Sequence, residues 1–378
     1  MIRMGLERTE AWVPLVNGKR VGLASIPASL FCGRDDGITF VKEQCDLTAL
    51  FGPEHGVRGE LSHGVCVGDS KDPVTGISTY SLYQGEDTHL PGDITKAIDI
   101  LLFDVQDVGL RFYTYIATLK RILEDAAAQA LPVIVLDRPD PLGGMVYGSP
   151  LPKEDWSFVG PGALPVRYGL SSGELALLFN EGQEKKADLT VIGLEGWNRK
   201  MLWPEIGRRW IPTSPAIGSF DSALSYAGFC LLEGTNLSEG RGTTTPFELF
   251  GAPYLDNVGL CRFLNGKAFP GMAFVPKYFQ PEAGKYAGQP CNGVFVVATD
   301  WHANPIPAAL YTLWWVAAHH KEFAVLPPRK EGAPNPLSRL MGATDATAVF
   351  DHPDEVAKRW EEEGREFQET HREVWLYA

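Results

Sequence analysis

Glu54 and His55 stand side by side in L-T-A-L-F-G-P-E-H-G-V-R-G, residues 47–59. An apolar run of strand character stops at Phe51, Gly52-Pro53 breaks it, and Gly56 and Gly59 shape the loop that follows. A carboxylate and an imidazole are thereby held where a strand ends, the edge at which open α/β sheets bind ligands. Such a pair can give, take or relay a proton. A plain surface turn can carry the same two residues, so the pair needs support from the rest of the chain.

Two more strand-like runs supply it. Ile98 to Asp104 (I-D-I-L-L-F-D) leads into Gln106, Asp107, Arg111, Phe112, Tyr113 and Tyr115. Pro132 to Leu136 leads into Asp137-Arg138-Pro139-Asp140. One aspartate at a strand end usually caps a helix or forms a turn; three polar clusters on one edge of a parallel sheet make a site. A fourth polar stretch, residues 233–248, gathers Glu233, Asn236, Glu239 and Glu248 around Arg241, in what a surface loop would also look like.

Paired carboxylates suit glycoside hydrolysis, which needs one on each side of the scissile bond. Glu54 is the candidate proton donor, with His55, Asp107, Glu233 and Glu239 as possible partners. Tyr113, Tyr115, Phe112 and Trp156 offer apolar platforms for sugar rings, though core packing accounts for such residues as well. Arg58, Arg111, Arg138 and Arg241 have the fork that grips a carboxylate bidentately, although a single arginine more often ends in a surface ion pair.

The elements that must position these groups follow from periodicity. Strands are expected at Lys19 to Ser25, Asp46 to Phe51, Ile98 to Asp104, Pro132 to Leu136 and Leu189 to Gly193. Helices are expected at Gly37 to Gln44, at Ile116 to Ala130, and from a serine cap at Ser171 to Asn180. That alternation predicts an α/β fold with a doubly wound, mostly parallel sheet. Residues 52–92 read as one long Gly-, Asp- and Ser-rich loop, a length that usually signals function. Ile211 to Gly218, rich in Pro and Ser, is the expected linker. It divides residues 1–210 from a smaller α/β or α+β domain at 211–378, with a strand at Gly293 to Thr299 and helices at Ile306 to His319 and Trp360 to Glu369.

The 378 residues carry a net charge of −13, which argues against a nucleic-acid partner and against an anionic membrane surface. No apolar run approaches the roughly 20 residues of a membrane span. The N-terminus lacks a signal-peptide core, and the six cysteines form no C-x-x-C pair. The chain therefore reads as cytoplasmic. No cofactor is expected: no G-x-G-x-x-G opens a helix after the first strand, and no Walker loop is present. His55, His63 and His89 share the long loop with Asp69, Asp72 and Asp87, but at no familiar metal-site spacing, so no metal is expected.

The motifs L-F-G-P-E-H-G (50–56), D-S-K-D-P-V-T-G (69–76), Y-S-L-Y (80–83), F-D-V-Q-D-V-G-L-R-F-Y-T-Y (103–115), L-D-R-P-D-P-L-G-G (136–144) and E-G-T-N-L-S-E-G-R-G-T-T (233–244) closely resemble those of the NamZ family of bacterial exo-β-N-acetylmuramidases. The resemblance runs from about Gly18 to the C-terminal end. It implies a Rossmann-like N-terminal catalytic domain, a C-terminal auxiliary domain closing the active-site cleft, and release of N-acetylmuramic acid from non-reducing ends of peptidoglycan fragments. It implies Glu54 as the catalytic acid, with Glu239 of S-E-G-R-G facing it. The substrate's lactyl carboxylate would explain the arginines, and its 2-acetamido group can act as an internal nucleophile. The expected site is completed by His55 and by Arg58, Gln106, Asp107, Arg111, Tyr113, Tyr115, Asp137, Arg138, Glu233, Asn236 and Arg241 as substrate-binding residues, and the expected partner is a small muropeptide-derived sugar.

This chain departs from the family pattern at Ser25-Ile26-Pro27, usually a Thr-Asn pair, and at Tyr168, commonly His. Two other readings of the same cleft stand beside hydrolysis: a sugar- or nucleotide-binding protein without catalysis, and a metal-dependent hydrolase of an ester or amide.

Overall fold

The computed structural model describes residues 2–59, 70–83 and 89–378. His63, Cys66, Asp69 and Asp87 lie outside the described residues. The chain divides into two compact units, one of residues 1–145, 168–215 and 368–378, the other of residues 146–167 and 216–367.

The first unit holds strands β1 (Arg20–Ser25), β2 (Leu30–Phe31), β3 (Asp35–Asp36), β4 (Asp46–Gly52), β5 (Ser70–Lys71), β6 (Ser78–Ser81), β7 (Ile100–Asp104), β8 (Val133–Leu136) and β9 (Leu189–Ile192). Its helices are α1 (Thr9–Val16), α2 (Gly37–Gln44), α3 (Thr114–Gln129) and α4 (Ser172–Glu181). The main sheet runs β5-β6-β4-β1-β7-β8-β9, parallel throughout except for the β5 edge, while β2 and β3 pair separately. This is the doubly wound order: the chain builds outward from β1 through β4 and β6, then returns to β1's other side with β7. The crevice between β1 and β7 is the switch point at which such sheets take ligands. Register places Ser25 opposite Asp104 there.

Continuous apolar runs make these strands because both faces are covered. Every residue of β7 and β8 is buried. One core gathers Leu23, Leu50, Leu102, Ile134 and Ile192 with Trp12, Ile38 and Val41 of the covering helices. Each Leu or Ile side chain fully buried there contributes about 1.5–3 kcal/mol. Helix α3 puts Ile116, Leu119, Ile122, Leu123 and Ala126 on its buried face at helical spacing, and stops at Ala130 in the left-handed conformation (φ 53°). The serine cap of α4 is a full capping box, with Ser171 accepting from the Glu174 N–H at 3.1 Å and Glu174 accepting from the Ser171 N–H at 3.0 Å.

Two expectations need correction. The stretch 52–92 is not one structureless connection, because β5 and β6 lie within it and β6 extends the parallel sheet beside β4. S-K and S-T-Y-S are too short and too polar to announce strands. The expected linker, too, is partly structural. Thr213 is buried and bonded to tyrosines of the first unit, so residues 211–215 close that unit.

The second unit holds α5 (Phe220–Phe229), β10 (Leu249–Ala252), α6 (Asn257–Lys267), β11 (Met272–Phe279), β12 (Cys291–Ala298), α7 (Ile306–His319), α8 (Pro336–Met341), α9 (Ala343–Ala348) and most of α10 (Pro353–Thr370). Its sheet is antiparallel, in the order β10-β12-β11. Phe229 of α5 stacks on Phe250 of β10 with ring centroids 4.9 Å apart. No helix among the described residues is long and apolar enough to cross a membrane.

Candidate active site

The loop after β4 doubles back at once. The Gly56 N–H bonds the Pro53 carbonyl at 3.0 Å, and His55 and Gly56 both take left-handed φ values, 77° and 80°. Glycine reaches that region freely, but histidine does so only when its surroundings hold it there. The strain falls on the residue that the sequence singles out. Both Glu54 and His55 are buried.

What fixes Glu54 comes from α3. Thr114, the first residue of the helix, donates its hydroxyl to Glu54 Oε2 at 2.8 Å. Tyr115, one residue on, reaches the Glu54 carbonyl oxygen at 3.4 Å and donates to the Thr213 carbonyl at 2.6 Å. Tyr113 donates to Thr213 Oγ1 at 2.8 Å and meets Tyr115 edge to face at 4.8 Å. Burial pushes both phenols well above the ordinary tyrosine range, and the charges of Glu54 and Asp107 add to the effect on each. The two tyrosines are therefore fixed donors, and they lie within the field of both carboxylates.

Asp107 is buried just beyond β7. Its Oδ2 accepts the Gly109 N–H at 2.7 Å and the Tyr168 hydroxyl. Burial raises its pKa to about 7, against the lowering effect of Tyr168 and of the Gly109, Val108 and Leu110 N–H groups. Gly109 is required at φ 79°, since a Cβ there would lie 2.1 Å from Asp140 Oδ1. Three buried atoms of the β1 and β7 ends, Ser25 Oγ, Gln106 Oε1 and Asp107 Oδ1, have no hydrogen-bond partner among the described residues. Gln106 cannot flip to relieve this, because its Nε2 donates to the Asp107 and Pro139 carbonyls at 2.9 and 3.0 Å.

Other predicted residues are taken up internally. Arg138 forks onto Asp104 at 2.6 and 2.9 Å, both buried. Asp137 accepts from Ser171, the Gly173 N–H and Tyr377. Arg58 forks onto Asp72 at 2.7 and 3.0 Å and reaches Asp36 at 2.8 Å, and its guanidinium holds Asp72 well below the usual carboxylate range. Arg111 is fully buried. Phe112 is buried too, whereas Trp156, in the second unit, is partly exposed. His89 pairs with Asp125 at 2.8 Å, and no group of three metal-ligating side chains occurs among the described residues.

In the second unit, Glu239 is buried and paired with Lys285 at 2.9 Å and with Arg241 at 3.5 Å. Arg241 also bonds Glu233 through Nε and Nη2, at 3.0 and 2.7 Å. Lys285 ties the segment down by donating to the carbonyls of Leu232, Glu233 and Leu237 as well. Asn236 is engaged at both ends of its amide, with the Glu322 carbonyl, Tyr254 and the Ala324 N–H.

Comparison with known proteins decides the family. The profile described as Exo-beta-N-acetylmuramidase NamZ, N-terminal, matches residues 21–221, and its C-terminal companion matches 224–377. The chain belongs to the NamZ family. The Peptidoglycan beta-N-acetylmuramidase NamZ of Bacillus subtilis (strain 168) is 42% identical over 288 residues, 75% of this chain and 69% of that protein. Crystal structures of two DUF1343 family proteins from Bacteroides fragilis NCTC 9343 match with TM-scores of 0.89 and 0.79, at 32% and 26% identity. Each match covers 100% of this chain and 99% of the other. NamZ membership makes the chain a glycosidase by descent, and it locates Glu54 in the N-terminal portion and Glu239 in the C-terminal one.

Sequence reasoning missed Thr114, Thr213 and Lys285, and treated Tyr168 only as a departure from pattern. Thr114 was the most accessible of these, as a hydroxyl residue opening a helix directly after two candidate site residues. Lys285 acts from 46 residues beyond Glu239, and no local signal marks it.

Proposed function

We propose that this chain is an exo-acting β-N-acetylmuramidase, releasing terminal N-acetylmuramic acid from small peptidoglycan fragments. The observation that carries the reading is the pair of buried carboxylates in the first unit. Glu54, steered by Thr114, and Asp107, with one oxygen open among the described residues, act on the same two tyrosines. Glycoside hydrolysis asks for a positioned proton donor, the part given to Glu54, and for acceptors that hold the sugar, the part given to Asp107.

Glu54 is assigned as general acid: it gives its proton to the glycosidic oxygen as the bond from C1 breaks, and a water oxygen bonds to C1 in its place, its proton passing to the second carboxylate. His55 is the titratable group beside it in the same loop. Glu239 is assigned as the second carboxylate of the reaction, with Arg241 and Lys285 fixing its side chain. Gln106, Asp107 and Ser25 supply open polar atoms for a sugar's hydroxyl or amide groups. The free thiols Cys32, Cys45, Cys230, Cys261 and Cys291 suit a reducing compartment, and on that ground we place the activity in the cytosol; cell fractionation checks it.

The functional test is incubation with N-acetylmuramoyl-β-1,4-N-acetylglucosamine and with the disaccharide of reversed order. Free N-acetylmuramic acid from the first alone is the expected result. Cleavage of neither, or equal cleavage of both, contradicts the assignment.

A further inference from the structure

Asp107 is asymmetric in a way that the family relationship does not explain. Its Oδ2 is saturated by two donors, the Gly109 N–H at 2.7 Å and the Tyr168 hydroxyl, reached across 61 residues of sequence. Its Oδ1 is buried; the Val108 and Leu110 N–H groups come near enough to Asp107 to favour its charge, but among the described residues no donor has hydrogen-bond geometry to Oδ1. A buried carboxylate oxygen left without a donor is costly, and native structures keep one where a ligand completes it.

We infer that Tyr168 is a positioning residue for the glycosidase reaction: by donating its hydroxyl to Oδ2 of Asp107, it leaves Oδ1 as the one carboxylate oxygen that accepts a hydrogen bond from a hydroxyl or amide N–H of the bound sugar. The inference rests on the proposed function only in naming the sugar as that donor.

The chemistry is one of direction. Tyr168 is fully buried, and its phenol is pushed far above the ordinary range by burial and by the charges of Asp107 and Asp140, so it stays a donor at any working pH. Two donors already occupy Oδ2, so a proton taken up by Asp107 goes to Oδ1 and displaces the sugar's donor. The working form is therefore the carboxylate, and Tyr168 favours it. The titratable groups linked to Asp107 include Tyr168 ahead of α4 and Tyr113 and Tyr115 at the start of α3; Asp140 after β8 acts with Asp107 on Tyr168, and Glu54 after β4 acts with it on Tyr113 and Tyr115. Arg138 at the end of β8 is paired with Asp104.

The test compares wild type with Tyr168→Phe by carboxyl-13C titration of Asp107, assigned with Asp107→Asn, and by the pH profile of kcat/KM. Losing a hydrogen bond to a charged group raises the midpoint by about one to two pH units. The acid limb of kcat/KM moves up with it, so the variant loses far more activity at pH 6 than at pH 9. Tyr168→His, a smaller side chain that keeps an N–H donor, is expected to restore most of the shift, and it replaces the phenylalanine variant if that one does not fold. An unmoved midpoint, or a uniform loss at every pH with the profile's shape unchanged, overturns the inference. Wild type inactive on muramoyl substrates would sink the functional reading instead, and the carboxyl titration would still decide what Tyr168 does.

Discussion

Asp107 beyond β7 and Asp137 just after β8 stand one strand apart, and the same forces act on both. Each is buried, each has its pKa raised by burial to about 7, and each takes a glycine N–H and a tyrosine hydroxyl. They differ in what remains. Asp137 has Gly173 on Oδ1, with Ser171 and Tyr377 on Oδ2, so both oxygens are closed by the protein. Asp107 keeps Oδ1 open among the described residues. A perturbed pKa alone does not separate a working carboxylate from a structural one. Hydrogen-bond saturation does, and here it divides two aspartates that the sequence offers as equals.

Substituting both aspartates in parallel gives the largest effects. In Asp107→Asn the amide oxygen keeps Tyr168 and Gly109, and the NH2 replaces the open acceptor. The expected loss in kcat/KM is about 10–100-fold, the worth of a hydrogen bond to a buried charge, with little change in Tm at pH 5, where the native carboxyl is protonated. Asp137→Asn is expected to do the reverse. Its NH2 must face either the Gly173 N–H, donor against donor, or the Ser171 and Tyr377 hydroxyls, which already accept the Glu174 and Leu194 N–H groups and would have to turn their own protons away, at a cost of about 1–3 kcal/mol of stability. Urea unfolding read beside kinetics checks the pair. Stability loss in Asp107→Asn, or activity loss without stability loss in Asp137→Asn, would break the distinction.

A smaller effect lies in the pH dependence of folding. Both carboxyls bind protons more tightly folded than unfolded, where an aspartate titrates near the ordinary 3.9. The native state therefore holds more protons between about pH 4 and pH 7, and stability from these two groups falls as pH rises through that window. Urea midpoints at pH 5 and pH 8 should show the loss, and Asp107→Asn should lessen it while Asp137 carries the rest. An unchanged difference in Asp107→Asn would mean that Asp107 does not titrate there.

Much of this was legible in the chain. The apolar runs of β1, β4, β7 and β8 are long and uninterrupted because both sheet faces are covered, so their ends, and the residues at them, could be placed on one edge. The Ser171-to-Glu174 spacing announced the cap of α4. Strands β5 and β6, at two and four residues, fall below what periodicity resolves, and β11 carries Pro276 and is half exposed on a sheet edge. The C-terminal return was invisible too. The Leu376 N–H bonds Glu174 Oε1 at 2.7 Å and Tyr377 reaches Asp137, contacts spanning 202 and 240 residues. Fold class came from local pattern, whereas the difference between Asp107 and Asp137 depends on partners that only the folded chain brings in.

If Glu54 protonates the leaving group, the basicity of that group decides how much the loss of Glu54 costs. Wild type and Glu54→Gln are compared on N-acetylmuramoyl-β-1,4-N-acetylglucosamine and on 4-nitrophenyl β-N-acetylmuramide, whose nitrophenolate departs with little need of a proton. Glu54→Gln is expected to lose about 10²–10⁴-fold on the disaccharide and much less on the aryl glycoside. Equal losses on the two substrates, or none on the disaccharide, would contradict that role of Glu54.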